Sequence, residues 1–71
     1  MFHIKNIKSK TPTANHERKV ADKQTAINWA SASSEFFHGV FEIRDMDTDS
    51  VAGYYVGGKR YTNLDRAWVA G

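Results

Sequence analysis

The segment from Val40 to Arg60 constrains this chain more than any other. Val40-Phe41-Glu42-Ile43-Arg44 and Val51-Ala52-Gly53-Tyr54-Tyr55-Val56 are two β-rich runs, separated by an acidic turn and closed by Gly57-Gly58. Alternation in the first run sends Phe41 and Ile43 to one face of a strand and Glu42 and Arg44 to the other. With Met46 to Asp49 as a four-residue loop, the cross-strand partners are Arg44 with Val51, Ile43 with Ala52, Phe41 with Tyr54 and Val40 with Tyr55. That register places Arg44, Val51 and Tyr55 on the face away from a covering helix, and a three-residue loop would reverse the second strand.

The helix is expected between Lys23 and Phe37, where Ala26, Ala30, Ser33 and Phe37 recur at helical spacing with Ile27 and Ser34 on one flank and Trp29 and Phe36 on the other. Gln24, Asn28, Ser31 and Glu35 share the opposite, solvent face. Asp22 is the expected N-cap, its carboxylate accepting from free N–H groups of the first turn, and Gly39 is the stop signal. Upstream, Phe2-His3-Ile4-Lys5 alternates as a half-buried strand ending near Asn6, Ser9 to Asn15 is a loop, and His16 to Val20 is a short, charged edge strand. Tyr61 to Gly71 has a weak helical pattern, and residues 62–71 are expected to form a flexible tail. The fold class is therefore α+β: one domain over residues 1–71, a small antiparallel sheet with one helix across one face, in the order β-β-α-β-β.

A chain of 71 residues buries only about 60% of the surface it exposes when unfolded, so its core must be small. Cysteine is absent, which removes disulfides and thiolate metal sites, and packing alone must hold the fold. No apolar run approaches a membrane span, and the N-terminal alternation does not suit a signal-peptide core; a cytosolic monomer is expected. The net charge of +2 is unevenly spread: residues 1–24 carry a balance of +4 and the remainder −2. A two-signed surface of this kind orients a docking partner over the screening length of about 8 Å.

The residues offer little chemistry. Asp45, Asp47 and Asp49 have the spacing of a calcium loop, but the sixth position is Ser50 rather than Gly and the twelfth is Val56 rather than Glu, so they are expected to form an acidic hairpin turn. His3, His16 and His38 lie on separate elements with no cysteine beside them, and no metal site is expected. Ser31, Ser33 and Ser34 lack a nucleophile elbow, and Gly57-Gly58-Lys59 lacks phosphate-loop spacing. No catalytic residue and no cofactor is expected, and the chain is read as a non-enzyme.

Two surfaces are candidates for binding. His3, Lys5, Arg44, Val51 and Tyr55 form a candidate partner-binding set, because an exposed aromatic beside an arginine is the composition enriched at interface hot spots. Cover of that face by Tyr61, Leu64 and Trp68 is the equally weighted alternative. Lys8, Lys10, Arg18, Lys19, Lys59 and Arg60, with Lys5, are candidate phosphate contacts for a small nucleic-acid-binding protein, although no helix is basic along one face.

The plan and size, with Met1-Phe2-His3-Ile4-Lys5-Asn6-Ile7-Lys8, Asp22-Lys23-Gln24-Thr25-Ala26-Ile27-Asn28-Trp29-Ala30 and Phe41-Glu42-Ile43-Arg44-Asp45, give a chain that resembles small bacteriophage-encoded proteins. Among these it resembles the short transcription regulators by which lytic phages bind host RNA polymerase. The resemblance implies a non-enzymatic protein in the host cytoplasm that docks on the polymerase, inhibits sigma-dependent initiation and affects termination. An inhibitor of a host defence nuclease needs only the same kind of complementary surface and stands beside it.

Overall fold

A computed structural model describes residues 1–8 and 17–71. The elements are β1 (Phe2–Asn6), β2 (Glu17–Val20), α1 (Lys23–Phe36), β3 (Phe41–Asp45), β4 (Ser50–Val56), β5 (Lys59–Tyr61) and α2 (Leu64–Ala70). The expected loop over 9–15, His16 and Lys10 lie outside the described residues. The five strands make one antiparallel sheet in the order β2-β1-β3-β4-β5. β1 therefore lies between β2 and β3, and α1 carries the chain from one of its neighbours to the other across one face.

α1 forms where its periodicity and cap predict. Asp22 has extended backbone, and its carboxylate accepts from the Thr25 N–H at 2.9 Å and from the Thr25 hydroxyl at 2.6 Å. The buried stripe is Ala26, Ala30 and Ser34, with small side chains that bring the helix axis close to the sheet. Ser34 rather than Ser33 is central because its hydroxyl accepts from the Gly58 N–H at 2.8 Å and donates to the Ser31 carbonyl at 2.9 Å. Ser31 itself donates to the Gly58 carbonyl at 3.4 Å, which draws it off the solvent face. Phe36 flanks nothing; it is 81% exposed.

The main core lies under α1 and contains Ile4, Val20, Ala26, Ala30, Phe41, Ile43 and Tyr55, with Phe2, Ile27, Trp29, Phe37 and Ala52 packed around them. Trp29 meets the Phe41 ring edge-on, with centroids 6.0 Å apart. A second, smaller cluster on the opposite face joins Val40, Tyr54 and Ala67, flanked by Ile7, Val56 and Tyr61.

The β3–β4 hairpin has the expected four-residue turn. Asp45 Oδ1 accepts from the Asp47 N–H at 2.9 Å, an Asx-type closure, and Asp49 takes positive φ, so the acidic run serves the turn. Asp45 pairs with Ser50 and Arg44 with Val51. Beyond that point the expected register fails: Ile43 pairs with Gly53, Glu42 with Tyr54 and Phe41 with Tyr55. Ala52 is the extra residue of a β-bulge, and one inserted residue shifts every later side chain to the other face. The Ala52 carbonyl accepts from Arg60 Nη2 at 3.2 Å, and the guanidinium passes over the bare face of Gly53.

Two further differences lie at the C-terminal end. Gly57 and Gly58, at φ +59 and +81, form the two-residue turn of a second hairpin, which adds β5 to the four expected strands. Residues 62–71 are not a free tail but hold α2, capped by Asn63, whose side chain accepts from the Asp65 N–H at 2.8 Å and the Arg66 N–H at 3.3 Å.

Candidate protein-binding face

Because Ile4, Phe41 and Ile43 point into the core beneath α1, their strand neighbours point to the other side of the sheet. Register then sets these neighbours in two rows across the strands. Lys19, His3, Arg44 and Val51 make one row; Glu17, Lys5, Glu42, Tyr54 and Tyr61 make the next. Adjacent members of a row stand about 4.8 Å apart, the spacing between strands. α2 packs on β4 and β5 and covers the Tyr54–Tyr61 end. The β2, β1 and β3 part of the face lies beyond it.

The structure thus brings together four of the five residues singled out for partner binding: His3, Lys5, Arg44 and Val51. Tyr55 does not join them. The Ala52 bulge turns it into the main core, where it is 6% exposed, and puts Tyr54 on the candidate face instead. The expected cover by the C-terminal segment is present at one end of that face, where α2 and Tyr61 pack on Tyr54, and it leaves the other end bare.

The face is charged in both signs and partly cross-linked. His3 Nε2 lies 2.8 Å from Glu17 Oε2. Arg44 Nε donates to Glu42 Oε1 at 3.1 Å, and its Nη1 reaches the Asp49 carboxylate and carbonyl, each at 3.3 Å. The Glu42 carboxylate, by its charge and then its hydrogen bond, holds the guanidinium still more firmly protonated, with Asp49 adding to it. Tyr54 has its phenol pushed above its ordinary range, first by burial and then by the nearby Glu42 carboxylate, with Arg44 opposing. Glu17 and Glu42 are the members that residue-by-residue reading left out. The i, i+2 spacing of Glu42 to Arg44 and of Glu17 to Lys19 carries that signal, because alternate strand residues share a face.

The residues considered for nucleic acid are dispersed. Arg18 and Lys19 lie on β2 and Lys59 and Arg60 on β5, the two opposite edges of the sheet. Cross-strand pairing splits each couple between faces: Arg18 opposes core Ile4 and Arg60 opposes core Tyr55, while Lys19 and Lys59 point the other way. Arg60 is bound to the bulge, Lys59 lies over the Tyr61 ring at 5.6 Å, and Lys8 is engaged by α2. Among the described residues these do not compose one basic track.

A cavity of about 200 Å³ between the ends of the two helices is lined by Ser34, Glu35, Phe37 and His38 among others, below the ~300–1,000 Å³ of common small-molecule pockets. A wider depression of about 510 Å³, open to solvent rather than enclosed, runs along α2 between Tyr61, Asp65, Arg66, Val69 and Ala70. Among the described residues no group of three or more His, Cys, Asp or Glu side chains is placed to hold a metal ion. No helix of the described chain is long and apolar enough to cross a membrane. Comparison with known proteins finds no match to the chain, whether among family models, curated proteins or solved structures.

Proposed function

We propose that the chain is a non-enzymatic, phage-encoded regulator that works by docking the β2-β1-β3 part of its open sheet face on host RNA polymerase. The observation that carries the docking reading is the two-row grid of Lys19, His3, Arg44 and Val51 beside Glu17, Lys5 and Glu42. Charges of both signs fixed at strand spacing favour one orientation of a complementary surface and oppose others through like-charge contacts. Arg44, pre-positioned by Glu42 and Asp49 and flanked by Val51, is the anchor, since arginine beside apolar surface is the recurrent hot-spot pattern. A standard interface of about 800 Å² per partner is a small part of the 4554 Å² of accessible surface.

The polymerase as target rests on the sequence resemblance, as do inhibition of sigma-dependent initiation and an effect on termination. Binding of the purified chain to purified host polymerase, with and without sigma, tests it together with promoter-dependent transcription in vitro. The reading expects a stoichiometric complex and loss of initiation in proportion to occupancy. Absence of a complex at micromolar concentrations removes polymerase as the target.

A further inference from the structure

We propose that α2 is a latched strap, which undocks from the β4–β5 end of the sheet while the rest of the fold stays intact, and that Lys8 is its latch. The helix has seven residues, fewer than an isolated helix needs to persist in water. Ala67 is its one buried side chain, whereas Leu64 and Trp68 are exposed and Val69 is 87% exposed. Its helicity therefore depends on docking, and the docking contact is small. α1 differs in both respects, with fourteen residues and side chains packed throughout the main core.

Lys8 fastens the strap from the far end of β1. Its Nζ donates to the Trp68 carbonyl at 2.7 Å and to the Gly71 carbonyl at 3.1 Å, and it sits 5.1 Å from the centre of the Trp68 ring. One ammonium thereby satisfies carbonyls at the C-terminal end of the helix, where the backbone dipole favours a cation, and adds a cation–π contact. These bonds lie at the surface, so opening them buries no charge.

The main core does not depend on α2, because it lies on the other face of the sheet under α1. Undocking bares a strip of Val40, Tyr54, Val56 and Ile7. That strip runs straight into the charged grid, since Tyr54 is the cross-strand partner of Glu42. Local opening of this kind, well below the free energy of global unfolding, is how short peripheral elements behave when few apolar contacts hold them. The strap does not depend on which partner the open face takes.

Native-state hydrogen exchange on the full chain tests it. The Ala67 and Gly71 amides, which bond within the α2 turn, should exchange far faster than the β3 amides of Phe41 and Ile43. Lys8→Met keeps a long apolar stem without the ammonium and should speed α2 exchange about tenfold, with α1 and β3 unchanged and Lys8→Arg restoring protection. Protection of α2 equal to that of β3 in the unmodified chain overturns the strap, whatever the variant does. A Lys8→Met chain with α2 exchange unchanged, or with exchange raised equally everywhere, overturns the latch.

Discussion

The side-chain amide of Asn6 occupies the space that a Cβ on residue 39 would need. Gly39, at φ +127, passes its backbone directly over that amide. Asn6 Oδ1 accepts from the Val40 and Lys8 N–H groups, each at 3.2 Å, and Nδ2 donates to the His38 carbonyl at 2.9 Å. One buried side chain thus joins the end of β1 to the link between α1 and β3. Asn6→Ala should cost about 2 kcal/mol, because the buried Val40 N–H loses its acceptor. Gly39→Ala should cost more than about 2 kcal/mol through backbone strain and collision. In the double variant the smaller residue 6 relieves the collision, so the combined loss should be less than the sum; urea denaturation of the four proteins checks it.

Tyr55 and Val51 lie four residues apart on β4 but differ sharply in burial, and the difference sets their expected roles. Tyr55→Ala removes a core ring packed near Phe41 and should cost about 3 kcal/mol. Val51→Ala, on the open face, should change stability by no more than about 0.5 kcal/mol. Thermal melts of both variants compare them directly. Equal losses would place Tyr55 outside the core.

The reason these two residues looked alike in sequence is local. Alternation in Phe2-His3-Ile4-Lys5 and in Phe41-Glu42-Ile43-Arg44 is unbroken, so β1, β3 and their inward faces were legible from period two alone, as was the Asp22 cap from its position before a helical stripe. Val51-Ala52-Gly53-Tyr54-Tyr55 has no clean alternation. Its register turns on where the bulge falls, and the contact that accompanies the bulge, Arg60 reaching the Ala52 carbonyl across Gly53, joins two strands and is encoded by no short-range pattern. β5 was missed, and α2 showed only as a weak helical pattern in an expected tail, for a related reason: three and seven residues carry too little periodicity, and both pack on Tyr54 and its neighbours. Of the binding set, His3, Lys5, Arg44 and Val51 emerged on one face, and only the residue beyond the bulge did not.

Asp22 provides a signed pH test. Its hydrogen bonds from the Thr25 side chain and backbone hold the carboxyl below the ordinary aspartate range of about 3.9. A depressed folded-state value means that the cap's contribution is fully present above that range and is lost as pH falls through the lower value. Asp22→Asn, which keeps capping ability without the charge, should flatten the acid limb of the stability curve, and Asp22→Ala should lower the midpoint at neutral pH as well. Midpoints measured from neutral to strongly acidic pH in the three proteins check it.

Tyr54 gives the alkaline counterpart. Its phenol is raised by burial and by Glu42, so the folded state disfavours the phenolate, and the associated stability is present below the ordinary tyrosine range of about 10 and lost above it. Spectrophotometric titration should show a tyrosine step above the ordinary range that a Tyr54→Phe variant lacks. Glu42→Gln should bring that step down, and an unchanged titration would remove Glu42 as a cause.

The open sheet face is the centre of the functional account, and paired substitutions measure it most directly. Arg44→Ala and Lys5→Glu alter the grid, while Phe36→Ser alters an exposed aromatic on α1, on the opposite side of the sheet. Binding of each folded variant to purified host RNA polymerase, measured at one fixed ionic strength, should fall about tenfold or more for the two grid variants and stay within about twofold for Phe36→Ser. Undiminished binding by both grid variants, or a loss confined to Phe36→Ser, would contradict the account.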